Sequence, residues 1–271
     1  MGSPRLESCS WQQVRSVEAT SSSVLPAYFT HSTSLLHPFP NPSSLPIPTF
    51  KMAASRTVVV HETRAEMTKL GAYNLVVGQE FKDARGVSRS NVIWKSWTLG
   101  PKITIQWNVK YALQWTETLP ANRAKVTYSG DDWVPININD PVGYELDNQG
   151  FFVQKGTGTP GSISITNNAY SMGVHVIVGL FDEDTQAYAP AFIDPNELLR
   201  NGSGTYTPTE ITRFWYEVEA AKGSFVSHDI TSYGQIITSK PNANTDQFVW
   251  EGSYDPTQGK WSGDIKDVHH G

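Results

Sequence analysis

The stretch ITIQWNVKYALQW, residues 103–115, alternates without interruption. Ile103, Ile105, Trp107, Val109, Tyr111, Leu113 and Trp115 form one set. Thr104, Gln106, Asn108, Lys110, Ala112 and Gln114 form the other. A period of two gives each set its own face of a β-strand, whereas a helix would mix them. A chain carrying this segment must build a sheet and bury the aromatic face, so Trp107 and Trp115 are expected in the core. The second face is polar yet almost uncharged, which reads as a solvated sheet face before a ligand-binding one. The segment is longer than a usual strand of about 5–6 residues. A bend or bulge near Ala112, or a strand serving two sheets, is therefore expected.

The rest of the chain points the same way. Only 17% of residues are charged and 38% are hydrophobic. Ser, Thr, Asn and Gln supply the balance, a mix that suits sheets and turns. Thr57–His61, Tyr73–Val77, Asn91–Trp97, Lys125–Tyr128 and Trp133–Ile138 read as strands. Phe151–Gln154 and Ser162–Thr166 flank the glycine-rich turn KGTGTPG. Val174–Phe181 and Ala187–Ile193 flank the acidic turn Asp182–Gln186. Phe248–Tyr254 and Lys260–Gly263 flank a hairpin turn, Asp255–Gly259. Thr63-Arg-Ala-Glu66 is a capping-box pattern with Gly71 as the stop, so a short helix is expected there. Asp194-Pro195-Asn196-Glu197 is a second helix start, ended at Asn201-Gly202.

The stretch 208–221 fits both periods. Ile211, Phe214, Trp215 and Val218 have helical spacing, while Phe214, Tyr216, Val218 and Ala220 alternate. Its aromatic and β-branched content favours a strand, Thr212–Glu219, paired through 221–224 with Phe225–Thr231. Together these elements specify an all-β fold: an antiparallel β-sandwich or barrel-like sandwich with one or two short helices. No internal repeat is present, which disfavours a propeller or trefoil.

Residues 1–51 differ from the rest of the chain, holding 7 of the 17 prolines and the run Ser21–Ser23. Translation from Met52, a Pro/Ser-rich arm and a targeting peptide all predict a disordered N-terminal arm ahead of one all-β domain, 52–271. Cys9, the one cysteine, lies in that arm, so a disulfide framework is excluded. The first 30 residues lack a continuous apolar run of signal-peptide type, and no stretch approaches about 18 consecutive apolar residues. A cytoplasmic location is the expectation. The net charge is −5 and no Lys/Arg run occurs, so a nucleic-acid partner is set aside.

Motifs for chemistry are few. Gly156-Thr-Gly158-Thr-Pro-Gly161 matches G-x-G-x-x-G, but a strand pattern follows it instead of a helix, so a hairpin loop is expected and not a nucleotide site. No G-x-S-x-G elbow occurs. His61, His175 and His228, with the tail pair His269-His270, have no metal-ligand spacing. No cofactor is expected; Ca²⁺ near Asp182 and Asp184 is the alternative, although the full loop pattern of known calcium sites is missing. An enzyme built from scattered residues is the third of four functional readings, and a structural or stress protein with no small ligand is the fourth.

The tryptophans carry more. Trp94 and Trp97 are three apart, so on a strand they face opposite sides, and Trp133 follows Asp131-Asp132 at a strand start. Exposed rings beside carboxylates suit glycans: the ring stacks on the apolar face of a sugar and polar groups take its hydroxyls. The expected ligand-binding residues are Trp94, Trp133, Asp131, Asp132 and Asp182. The profile as a whole, cysteine-free after residue 9 and rich in Trp and Tyr, is similar in type to cytosolic lectins and to actinoporin-like cytolysins, with no shared motif and no residues carried over. The first likeness implies a non-enzymatic, lectin-like protein that binds a glycan or another small polar ligand. The second implies a pore-forming protein with a membrane surface as partner, whose mobile segment would have to be Thr63–Leu70.

Overall fold

In the computed structural model the described residues are 55–218, 220–227, 234–237 and 247–266. All of them fall in one compact unit, Phe50–Gly271. The expected N-terminal arm with Cys9, the histidines His228, His269 and His270, and the end of the expected strand Phe225–Thr231 lie outside the described residues.

The strands in chain order are β1 (Ser55–His61), β2 (Tyr73–Lys82), β3 (Ser88–Arg89), β4 (Lys95–Thr98), β5 (Lys102–Asn108), β6 (Tyr111–Thr116), β7 (Val134–Ile136) and β8 (Val142–Leu146). They continue with β9 (Phe152–Thr157), β10 (Ile163–Asn167), β11 (His175–Asp182), β12 (Ala187–Ile193), β13 (Gly202–Val218), β14 (Gly234–Ile237), β15 (Gln247–Asp255) and β16 (Lys260–Lys266). Among the described residues the one helix is α1 (Arg64–Leu70), closed by the expected capping box of Thr63 and Glu66. No helix there is long and apolar enough to cross a membrane.

Three sheets make an all-β sandwich. The first runs β16-β15-β1-β5. The second runs β3-β2-β13-β10-β8-β9, with β14 on β13 and β4 on β2. The third runs β12-β11-β6-β7. One core joins all three, with Val58 and Trp107 from the first sheet, Phe81 and Tyr206 from the second, and Leu113, Val176 and Phe192 from the third.

The segment 103–115 is the hinge between sheets. It breaks at Val109–Lys110, where the Lys110 amide donates to the Asn108 carbonyl at 2.9 Å. Before the break, β5 pairs with β1; after it, β6 pairs with β11 and β7. Ile103, Ile105, Trp107, Tyr111, Leu113 and Trp115 are all buried in the common core, as the alternation requires. The polar face divides. Thr104 and Gln106 are exposed, but Ala112, Gln114 and Thr116 are buried. A solvated face was expected throughout, and the second half is instead covered by chain.

Other expectations need correction. The sandwich is not wholly antiparallel, because β1 pairs parallel with β15 and β8 with β10. KGTGTPG is not a hairpin, since β8 lies between β9 and β10. Asp194 starts no helix: its Oδ1 accepts from the Asn196 amide at 2.9 Å, and extended backbone comes next, with the Leu198 amide donating to the Val174 carbonyl at 2.8 Å. Lys125–Tyr128 is reduced to one bridge, Lys125 to Ser224.

The ambiguous stretch is a strand, as favoured, but β13 pairs with β2 and β14, not with Phe225 onward. Both faces of it are buried. Phe214 enters the common core, and Trp215 enters a second cluster with Val76, Ile93 and Val226. Consecutive buried rings are what gave it a helical look. Its register shifts between Pro208 and Thr212, because Pro208 has no N–H for the ladder. The Gln79 amide fills that gap, donating to the Thr209 carbonyl at 2.6 Å and to the Ile211 carbonyl at 3.0 Å.

Trp107 packs edge-on against Trp94, ring centroids 5.6 Å apart. Trp107→Ala should lower the unfolding free energy by about 3–5 kcal/mol, read from the urea midpoint. A loss below about 1 kcal/mol would show that the register of β5 is wrong.

Candidate functional site

The covered half of the polar face organises the outer side of the third sheet. Ala112 and Gln114 stand opposite Gly179 and Ile177 of β11, and residues so paired share a face. Gln114 is buried, and its amide is used at both ends. Nε2 donates to the Asp132 carbonyl at 3.0 Å, and Oε1 accepts from the Trp115 amide at 3.0 Å. The Ser129 amide donates to the Trp115 carbonyl at 2.9 Å. Gly130 lies so close to the Gln114 amide that any Cβ would collide with it. These contacts clamp the loop 129–133 onto β6 and deliver Trp133 to the outer face.

Trp133 lies across Gly179. A Cβ there would come within 2.5 Å of the indole, so the bare glycine is the seat of the ring. From it a row of rings extends. Tyr128 stands 5.5 Å away on one side and Tyr188 6.2 Å away on the other. Tyr188 in turn meets Phe181 at 5.3 Å, edge to face. Phe181 and Tyr188 are direct cross-strand partners in the β11–β12 hairpin. Tyr128 is 47% exposed, and the other three rings are half-buried. Burial pushes the Tyr188 hydroxyl above its usual pKa, so it stays a neutral donor.

Polar groups flank the row at Trp133 and at Phe181. Exposed Asp131 and Asp132 adjoin Trp133. At the far end the Lys110 ammonium lies 4.7 Å from the Phe181 ring centre and 3.4 Å from Glu183 Oε1. Asn108 Nδ2 donates to the same oxygen at 3.0 Å. That bond, with the Lys110 charge, holds the Glu183 carboxyl below its usual pKa against a smaller opposing effect of desolvation.

Of the residues expected in a ligand site, Trp133 lies in the row, with exposed Asp131 and Asp132 directly before it in the chain. Trp94 and Asp182 do not join them. Trp94 is 1% exposed, packed on Trp107, with its Nε1–H directed to the Leu180 carbonyl at 3.4 Å; it has no free face for a ligand. Trp97 is half-buried against the core. Asp182 is 2% exposed and forms a buried pair with Lys95, which the exposed Asp184 and half-buried Lys222 extend to the surface. Lys95 Nζ lies 2.7 Å from Asp182 and 2.8 Å from Asp184, and it also sits 5.0 Å from the Trp94 ring and 5.5 Å from the Trp97 ring. Lys222 makes a further pair with Asp182. Burial alone would raise the Asp182 carboxyl, but hydrogen bonds from Lys222 and Lys95 outweigh it and hold the pKa at about 2.

A cation at this turn would have to displace the ammonium groups on Asp182 and Asp184. Among the described residues no group of three or more His, Cys, Asp or Glu is placed to hold a metal. His175 is buried in β11, with Nδ1 2.9 Å from the Asp194 carbonyl, as an interior residue.

The sequence reading missed Tyr128, Phe181, Tyr188 and the seat at Gly179. Two signals were there. A lone glycine inside an apolar strand marks a close approach, and the acidic turn fixes the hairpin register that sets Phe181 opposite Tyr188. Scans against protein-family models, curated proteins and solved structures find no match to this chain.

Gly179→Ala should tilt the Trp133 indole off its seat and destabilise the fold by about 1–3 kcal/mol, with an altered near-ultraviolet aromatic signal. An unchanged signal would mean the ring is not seated there. Asp182 carries its own pH dependence. Its folded pKa, about 2, is below the ordinary value of 3.8, so its stabilisation is present above that value and is lost as pH falls towards 2. Asp182→Asn should flatten this part of the acid-unfolding curve and lower stability at neutral pH by about 1.5–3 kcal/mol, because Lys95 loses one carboxylate partner and keeps Asp184.

Proposed function

We propose that the chain is a non-enzymatic, lectin-like binding protein that takes glycans along the row Tyr128–Trp133–Tyr188–Phe181. The observation that carries this reading is the row itself: four rings in sequence, all at least partly exposed, with exposed carboxylates next to Trp133 in the chain and a Lys–Glu pair at the Phe181 end. Pyranose units have one apolar face and a rim of hydroxyls. Tilted rings match the first by stacking, and Asp131, Asp132, Glu183 and Lys110 match the second by hydrogen bonding. Several rings in line suit an oligosaccharide better than one compact metabolite, which would favour a closed pocket. Stacking and hydrogen bonding are binding interactions, and the proposal requires no bond to break. A cytoplasmic setting is part of the reading, supported by a chain with one cysteine, Cys9.

A glycan array probed with the full chain tests it. Binding above background to at least one oligosaccharide is expected. Tyr188→Ala and Tyr128→Ala should each weaken that binding about tenfold, some 1.4 kcal/mol, with the near-ultraviolet core signal retained. No binding, or binding indifferent to both substitutions, would refute the assignment of the row.

A further inference from the structure

The glycine-rich stretch 156–161 finds no place in the aromatic row, which lies on a different sheet. It borders a trough of about 300 Å³ on the outer face of the second sheet, across β9, β8, β10 and β13. Tyr144, Ile163, Ile165 and Tyr206 point from this region into the core. The intervening residues therefore face outward. Pairing sets them in two rows: Gly143, Ser164 and Thr205, then Glu145, Thr166 and Ser203.

Two features make this a formed depression and not an ordinary hydroxyl-covered sheet. Gly143 lets the β9 backbone close in: a Cβ there would come within 2.7 Å of the Lys155 carbonyl, where the β8–β9 register shifts, so β9 bounds the trough at that point. Beside it lies a buried carboxylate. Glu145 is 6% exposed, its Oε1 accepting from Lys155 Nζ at 2.5 Å and its Oε2 from Asn168 Nδ2 at 2.7 Å. A carboxylate has about four acceptor positions, so Glu145 retains capacity for a ligand.

We infer that this trough is a second binding site, for one neutral polyhydroxylated unit such as a monosaccharide. The charges favour no ion, because Glu145 and Lys155 neutralise each other as an ion pair at 2.5 Å. The glycine-rich rim does not make a phosphate cradle either, since the Gly158 amide donates to the Pro141 carbonyl at 3.0 Å and the Gly161 amide to the Ile138 carbonyl at 2.6 Å. What remains is a surface of Ser and Thr hydroxyls: Thr166 donates to the Tyr144 carbonyl at 3.4 Å and keeps its acceptor, Ser164 accepts from the Thr159 amide at 3.4 Å and keeps its donor, and a sugar hydroxyl can meet either role. The volume is at the lower end of ligand pockets, about 300–1,000 Å³, which fits a single unit. No exposed ring stands in the trough, so recognition is by hydrogen bonds and not by stacking. The site does not depend on the aromatic row.

Heteronuclear NMR of the full chain, titrated separately with D-glucose, D-galactose, D-mannose and N-acetyl-D-glucosamine, tests the inference. At least one sugar should shift amides of residues 143–145, 155–157, 164–166 and 203–205. Thr205→Phe fills the trough from its exposed wall and should abolish those shifts. Glu145→Gln removes the charged acceptor and should weaken binding about tenfold. Tyr188→Ala should leave the shifts intact, which separates this site from the row. Shifts from none of the four sugars, shifts confined to the row, or trough shifts that survive both Thr205→Phe and Glu145→Gln would overturn it. Core amide resonances report folding of each variant, and if Thr205→Phe does not fold, Glu145→Gln decides.

Discussion

Gln114 is the residue on which the outer face of the third sheet depends. An amide buried without partners costs about 1–3 kcal/mol, and Gln114 is buried. Its bond to the Asp132 carbonyl satisfies both groups at once. The loop 129–133 is thereby held down by a side chain of the strand it covers. Gly130 permits the approach, and Gly179 gives Trp133 its seat. One buried amide and two glycines set the direction of an indole, and the indole sets the line of Tyr128, Tyr188 and Phe181.

The charge cluster around Lys95 anchors the other end. A buried ion pair contributes little net stability beside a well-packed apolar alternative, but it is specific in position. Lys95 of β4 reaches Asp182 and Asp184 at the tip of the β11–β12 hairpin, so the second sheet fixes where that hairpin ends. Residues that the sequence offered as ligand contacts, Trp94 and Asp182, are spent on this anchoring. They hold Phe181 and Tyr188 in place without themselves being presented.

The alternation of 103–115 made the fold class legible, because a period of two admits only a strand and its aromatic half admits only a core. The capping box at Thr63 and the β15–β16 hairpin were legible for the same reason: each is a local pattern with a local cause. What could not be read is non-local. Nothing within Ala112–Gln114 says that another loop will cover it, so a polar face that looked solvated proved half-buried. Parallel pairing of β1 with β15 joins the two ends of the domain, and the insertion of β8 between β9 and β10 turns an apparent hairpin into a crossover. The site was legible only where ring and carboxylate are neighbours in sequence, at Asp131–Trp133. Tyr188 and Phe181 enter through hairpin register, and Tyr128 through the loop path.

The central claim is that Trp133, seated on Gly179, is presented to ligand while Trp107 and Trp115 serve the core. Fluorine NMR of the fluorotryptophan-labelled chain tests it directly, with the three resonances assigned by single Trp→Phe substitutions. Titrated with the oligosaccharide that binds best on the array, the Trp133 resonance should move in a saturable way while those of Trp107 and Trp115 stay fixed. A Trp133 resonance that does not respond to a bound oligosaccharide would contradict the account.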